Sequence, residues 1–176
     1  MSMKSTDLLR VLDEMDRQGI WALDTHRLAL LFPDEGAQLN ISLSRHARTG
    51  LIKRLARGVY VNPRARSMPA EPLLAASSFL RPFDFAWLSL ESVLSEAGWI
   101  SQIPMRYTMM TTGRSGVLET AYGVIEFTHS SCAKGMQGIY FDPARACYVA
   151  TPERAYSDLR NVGRNLDLLE LPEMAQ

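Results

Sequence analysis

The 176-residue sequence predicts an α+β chain of two parts. Three observations carry this. Its first third shows three amphipathic helical stretches followed by a basic hairpin, residues 62–69 form a proline-bounded polar break, and the remainder alternates short apolar strands with helices. The boundaries fall at 1–68 for the first part and 69–176 for the second. With 47% hydrophobic and 22% charged residues, both parts have enough apolar side chain to offset the entropy of ordering.

The first helix starts where Ser5 or Thr6 can cap it, Asp7 complements its dipole, and Gly19 ends it. Leu8, Val11, Leu12 and Met15 supply its buried stripe. Ile20-Trp21-Ala22-Leu23 reads as a strand or buried connector. Asp24 or Thr25 then caps a second helix, with Leu28, Ala29, Leu31 and Phe32 apolar before Pro33 stops it. A third helix runs from Ala37 to Thr49 and closes at Gly50. Leu39, Leu43 and Ala47 line its inner face, while Gln38, Ile41, Ser44, Arg45 and Arg48 point away. Leu51 to Leu55 is a strand, Ala56-Arg57-Gly58 a tight turn and Val59-Tyr60-Val61 the returning strand. Three helices and a hairpin in this order predict a winged helix-turn-helix.

In the second part, Pro72 to Leu80 forms a short helix, and Ser89 caps another containing Leu90, Val93, Leu94 and Ala97 before Gly98. Arg106 to Thr112 and Val117 to Thr120 are strands around a Gly113-Arg114-Ser115-Gly116 turn. Gly123 bulges or kinks a strand running to Thr128, and Ile139–Phe141 and Cys147–Val149 add two more. The last helix has Thr151 as cap, Pro152 in its first turn, and Ala155, Leu159 and Val162 inward. The expected result is a small, largely antiparallel sheet with helices. Trp87, Trp99, Tyr107, Tyr122, Phe127, Tyr140, Phe141, Tyr148 and Tyr156 make this part aromatic-rich, most of them as core.

Charge separates the two parts. Residues 1–69 hold 11 Lys or Arg against 7 Asp or Glu, a net +4, and residues 70–176 hold 8 against 12, a net −4. No acid occurs between Glu35 and Glu71, a stretch containing Arg45, Arg48, Lys53, Arg54, Arg57, Arg64 and Arg66. An acid-free helix and hairpin suit a polyanion. Base edges would be read by Gln38, Ser42, Ser44 and Arg45 from the third helix. Phosphates would be held by Arg48, Lys53, Arg54 and Arg57, with Gly58 shaping the tip of the hairpin.

Enzyme signatures fail one after another. The three lysines, Lys4, Lys53 and Lys134, are not in a phosphate-cradling glycine loop. Gly113-Arg114-Ser115-Gly116 is not followed by the acid pair of a nucleotidyltransferase, and Glu126-Phe127-Thr128 lacks the lysine of a carboxylate–lysine nuclease. His129 and Cys132 have ligand-like spacing, but only His26, His46 and Cys147 remain to complete a zinc site. No Gly-x-Ser-x-Gly elbow occurs. The expectation is a non-enzyme without metal or cofactor. No apolar run nears the roughly 20 residues of a membrane-spanning helix, and the start lacks a signal-peptide core, so a reduced, cytoplasmic protein with no membrane partner is expected.

Several segments together resemble a family. They are Arg57-Gly58-Val59-Tyr60-Val61, the Leu88–Leu94 helix followed by Gly98, the Thr-rich strand with Gly113-Arg114, Gly123-Val124-Ile125-Glu126-Phe127, and Ala150-Thr151-Pro152-Glu153-Arg154-Ala155. In order and spacing, from about residue 5 to 165, they are similar to the AbiEi-type antitoxins of type IV toxin–antitoxin systems. The resemblance implies a winged helix that binds inverted repeats in its own promoter and represses the operon. It also implies a C-terminal domain that counteracts a nucleotidyltransferase-like toxin. The partners expected are double-stranded DNA, bound by a dimer or by paired monomers, and a cognate toxin. A stand-alone winged-helix regulator and a protein-interaction adaptor are the alternatives.

Overall fold

The computed structural model describes residues 3–131 and 135–170, leaving out the Asp34 side chain. The chain divides into two compact units, Met1–Ala70 and Glu71–Gln176.

The first unit runs α1 (Ser5–Arg17), β1 (Ala22–Asp24), α2 (Thr25–Leu31), a 3-10 segment (Pro33–Gln38), α3 (Leu39–Arg48), β2 (Lys53–Ala56) and β3 (Val59–Val61). The strands form a small antiparallel sheet in the order β1-β3-β2. Its core gathers Leu8 and Leu12 of α1, Leu28 of α2, Leu39 and Leu43 of α3, and Ile52, all essentially without solvent contact. Helix spacing puts these leucines on facing stripes, so burying them positions the three helices together.

The ends of these elements differ in part from the expectation. Lys4, not Ser5 or Thr6, precedes α1, and no side chain caps that helix. Asp24 does cap α2, accepting from the Arg27 backbone N–H at 2.6 Å. Helix α3 begins at Leu39 instead of Ala37, because Gly36 adopts φ +45° and breaks the path out of the 3-10 segment.

The polar stretch after β3 is not a free linker. Buried Asn62 donates its backbone N–H to the Trp21 carbonyl at 2.8 Å. Asp16 of α1 accepts from the backbone N–H groups of Arg66 and Ser67, each at 2.9 Å, and from the Ser67 hydroxyl at 2.6 Å. The Ser67 hydroxyl and these two backbone donors hold the Asp16 carboxyl below its ordinary range. A carboxyl whose folded pKa is lowered stabilises the fold above its unfolded pKa and ceases to do so as pH falls through the folded one. Asp16→Asn is therefore expected to lower the thermal midpoint of the first unit at neutral pH. The gap from the parent should close as pH drops below about 3.9. A gap that stays constant from pH 7 to pH 2.5 would assign the effect to shape and not to charge.

The second unit contains two short helices, α4 (Pro72–Ala75) and α5 (Ser77–Leu80), where one was expected. There follow β4 (Ala86–Leu88), α6 (Leu90–Glu96), β5 (Tyr107–Thr111), β6 (Gly116–Thr120), β7 (Gly123–His129), β8 (Ile139–Asp142), β9 (Cys147–Ala150) and α7 (Pro152–Val162), then a 3-10 turn (Leu166–Leu168). The sheet has six strands in the order β6-β7-β5-β4-β9-β8. Pairs β6/β7, β5/β4 and β9/β8 are antiparallel, but β7/β5 and β4/β9 are parallel. It is thus larger and more mixed than the expected antiparallel sheet. Helices α6 and α7 pack on each other, α6 against β5 and α7 against β9. Trp87, Leu88, Met109, Phe127, Val149, Ala155 and Leu159 fill the core. Thr151 caps α7 as expected, accepting from the Arg154 backbone N–H at 3.3 Å. Among the described residues, no helix is long and apolar enough to cross a membrane.

Candidate nucleic-acid interface

Packing fixes which side of α3 faces out. Leu39, Leu43 and His46 are buried, so the opposite side presents Asn40, Ile41, Ser44, Arg45 and Arg48. Gln38 is exposed just ahead of the helix. Ile41 is 63% exposed, an apolar contact amid amide, hydroxyl and guanidinium donors. Asn40 belongs to this surface too, although it was not among the residues expected there; helical spacing places it 100° from Leu39 and 100° from Ile41.

Ser42 corrects the expectation. It is buried, and its hydroxyl donates to Glu35 Oε2 at 2.5 Å. At 100° per residue it falls 60° from Leu39, on the flank of the apolar stripe, so the serine serves the interior and cannot reach a base from there. The same bond explains where the nearest acid goes. Glu35 is itself only 4% exposed, so its carboxylate lies beneath the helix and not on its outer face.

Arg45 is exposed along its stem, yet its Nη2 donates to the Met3 carbonyl at 2.8 Å. His46 Nε2 lies 3.1 Å from the same oxygen. A carbonyl only accepts, so Nε2 is the donor in this contact. Met3 is buried against the helix core, and one backbone oxygen ahead of α1 thus anchors two successive side chains of α3.

The hairpin presents Lys53, Arg54 and Arg57 to solvent. Arg57 and Gly58 form the turn between β2 and β3, with Ala56 opposite Val59. Gly58 has φ +77°, a conformation that strains any residue with a Cβ. A Cβ there would also come within 3.3 Å of Thr25 Oγ1. Close approach is the purpose of this arrangement. The Gly58 carbonyl accepts from the Thr25 backbone N–H at 2.8 Å and from its hydroxyl at 3.0 Å, which ties the hairpin tip to the start of α2. Arg57 is therefore displayed from a braced turn.

Among the described residues, Arg48, Arg54 and Arg57 enter no ion pair, whereas Arg10 pairs with Asp7 and Arg17 with Glu14 on α1. The second unit differs. Arg145 is shared among Glu71, Glu96 and Asp142. Arg164 makes a two-pronged contact to Glu91 at 2.8 and 3.0 Å and also bonds Glu126. Burial pushes the Glu91 carboxyl up, but its bonds to Arg164, to its own backbone and to Asn165 prevail and leave it below the ordinary range. A scan against protein-family models and a search of curated proteins find no match for this chain.

Other residues weighed for chemistry stand as follows. Burial pushes the Cys147 thiol up to about 12, so it stays protonated and unreactive at neutral pH. His129 is exposed, with Nδ1 2.8 Å from the Gly113 carbonyl. Cys132 and Lys134 lie outside the described residues. Among the described residues no three His, Cys, Asp or Glu side chains gather as a metal site would require.

Proposed function

We propose that the first unit is a winged helix-turn-helix that binds double-stranded DNA, and that the chain is a transcriptional repressor of the AbiEi-type antitoxin kind. One observation carries the reading: α3 and the hairpin contribute no carboxylate of their own to the outer surface, because Glu35 is buried and the sequence has no acid between Glu35 and Glu71. The strand order β1-β3-β2 around three helices supports it. In this reading α3 enters the major groove, Gln38, Ser44 and Arg45 meet base edges, and Arg48, Lys53, Arg54 and Arg57 hold phosphates. Two copies on promoter repeats would then occlude polymerase.

The experiment is a titration of the full chain against the duplex upstream of its own gene over a range of salt concentrations. Arg57→Ala is expected to weaken binding to every duplex alike and to flatten the log–log salt dependence by about one unit. Absence of binding by the parent near physiological salt would refute the DNA reading. An unchanged slope would remove the hairpin from the interface.

A protein partner for the second unit, the nucleotidyltransferase-like toxin that the resemblance implies, is favoured by its exposed apolar side chains. Phe83, Ile103 and Met105 are nearly fully exposed, and Tyr140 and Phe141 are half-exposed on the edge strand β8. Large exposed apolar patches mark docking sites, and these side chains are the candidates to form one.

A further inference from the structure

The second unit holds a buried arginine whose hydrogen-bonding capacity is only partly used. Arg154 is 6% exposed. Its Nε donates to Asp158 Oδ1 at 3.0 Å, and its Nη1 donates to the carbonyls of Gly135 and Gln137 at 3.0 and 2.7 Å. The guanidinium carbon sits 5.5 Å from the centre of the Trp87 ring. Nη2 has no protein partner among the described residues, and it is not sealed away from solvent. Arg154 lines a cleft of about 540 Å³, beside Thr128, Ser131 and Asn161.

Asp158 lines the cleft as well, but both of its carboxylate oxygens are already taken by protein donors. Its Oδ1 is taken by Arg154 Nε, and its Oδ2 accepts from Trp87 Nε1 at 3.0 Å and Ser89 Oγ at 2.9 Å. The carboxylate is thus held by three donors, and its effect on the arginine is to lock the plane of the guanidinium. A guanidinium fixed in this way loses little further freedom when it binds, and charge-assisted bonds at low dielectric are the strong ones. Thr128 and Ser131 bring hydroxyls, and Asn161 brings an amide, all of which can donate to an oxyanion. The cleft has the size of a small-molecule site.

We propose that this cleft binds a small ligand through an oxyanion group, a carboxylate or a phosphate monoester, with Arg154 Nη2 as the charged donor. The residues that line the cleft all belong to the second unit, and the inference does not depend on DNA binding.

Inorganic phosphate and acetate serve as probes, each titrated into the full chain at constant ionic strength against sodium chloride. Thermal midpoint and calorimetric heat are followed, together with the ¹⁵N resonance of Arg154 Nε. At least one probe is expected to bind saturably in the millimolar range and to move the Arg154 signal; phosphate alone points to a phosphate ester, acetate alone to a carboxylate. Arg154 is a core residue and its variants risk misfolding, so the decisive variants are Asn161→Asp and Ser131→Asp. Both positions are exposed at the rim, where a carboxylate repels an anion. Either variant that keeps the unliganded midpoint is expected to weaken binding by about tenfold or more. No saturable change with either probe overturns the proposal. So does equal binding by both rim variants, or binding that leaves the Arg154 resonance unmoved.

Discussion

Asp158→Ala is expected to lower the unfolding free energy of the second unit by about 3–5 kcal/mol, the usual cost of removing one partner of a buried ion pair. Asp158 is 2% exposed and collects three donors from three elements: Trp87 on β4, Ser89 at the start of α6, and Arg154 one turn earlier on α7. Alanine would leave a guanidinium, an indole N–H and a hydroxyl without their acceptor in the core. Ser89 shows how far this carboxylate organises its surroundings. It sits at the N-cap of α6, where the sequence suggests capping, yet its hydroxyl makes no cap bond and turns to Asp158. Denaturant unfolding at pH 7, followed by near-UV circular dichroism of Trp87, measures the loss. Asp158→Asn, which keeps an acceptor but loses the charge, should fall between parent and alanine. Replacing Asp158 and Arg154 together by leucine and methionine should recover part of the stability, because removing both charges also removes their desolvation cost. A loss under about 1 kcal/mol in Asp158→Ala would mean that Arg154 re-solvates through the adjoining cleft.

The second large effect is expected at Leu43. Its side chain is fully buried in the cluster that joins α1, α2 and α3. Leu43→Ala should cost about 2–5 kcal/mol, combining lost transfer energy with a cavity the helices cannot fully close. Leu43→Met, which nearly conserves volume, should cost under about 1.5 kcal/mol. Trp21, the one tryptophan of residues 1–70, reports the transition by fluorescence. DNA binding should fall in step with the unfolded fraction in Leu43→Ala and stay near parental in Leu43→Met. If Leu43→Met folds as the parent does but abolishes DNA binding, the role of α3 as the reading helix is wrong, since nothing on its outer face would have changed.

Local chemistry made much of the chain legible. Asp24 and Thr151 were readable as caps because an N-cap needs only a short side-chain oxygen and helix-compatible residues after it. The β2–β3 hairpin was readable because Arg57-Gly58 offers a glycine where φ must be positive. The leucine stripes of α1, α2 and α3 were readable from spacing. The absence of acids between Glu35 and Glu71, on which the functional proposal rests, is a property of the sequence alone.

What the sequence could not decide depends on distant partners. Ala86-Trp87-Leu88 is too short to show alternation, yet as β4 it lies inside the sheet between β5 and β9. The parallel pairing of β7 with β5 and of β4 with β9 joins segments separated by other elements, so no turn signal announces it. Ser42 was misplaced because a polar side chain was read as outward, when the buried Glu35 stood ready to receive its hydroxyl. Arg154 looks from its sequence like an ordinary surface residue of an i,i+4 pair with Asp158. Only folding brings Trp87, Ser89 and the Gly135 and Gln137 carbonyls around that pair, and burial is what turns a commonplace helix contact into a fixed charge beside an open cleft. Periodicity, caps and charge are written within a few residues of one another, whereas strand order and the company of buried polar groups arise from contacts that exist only once the chain has closed on itself.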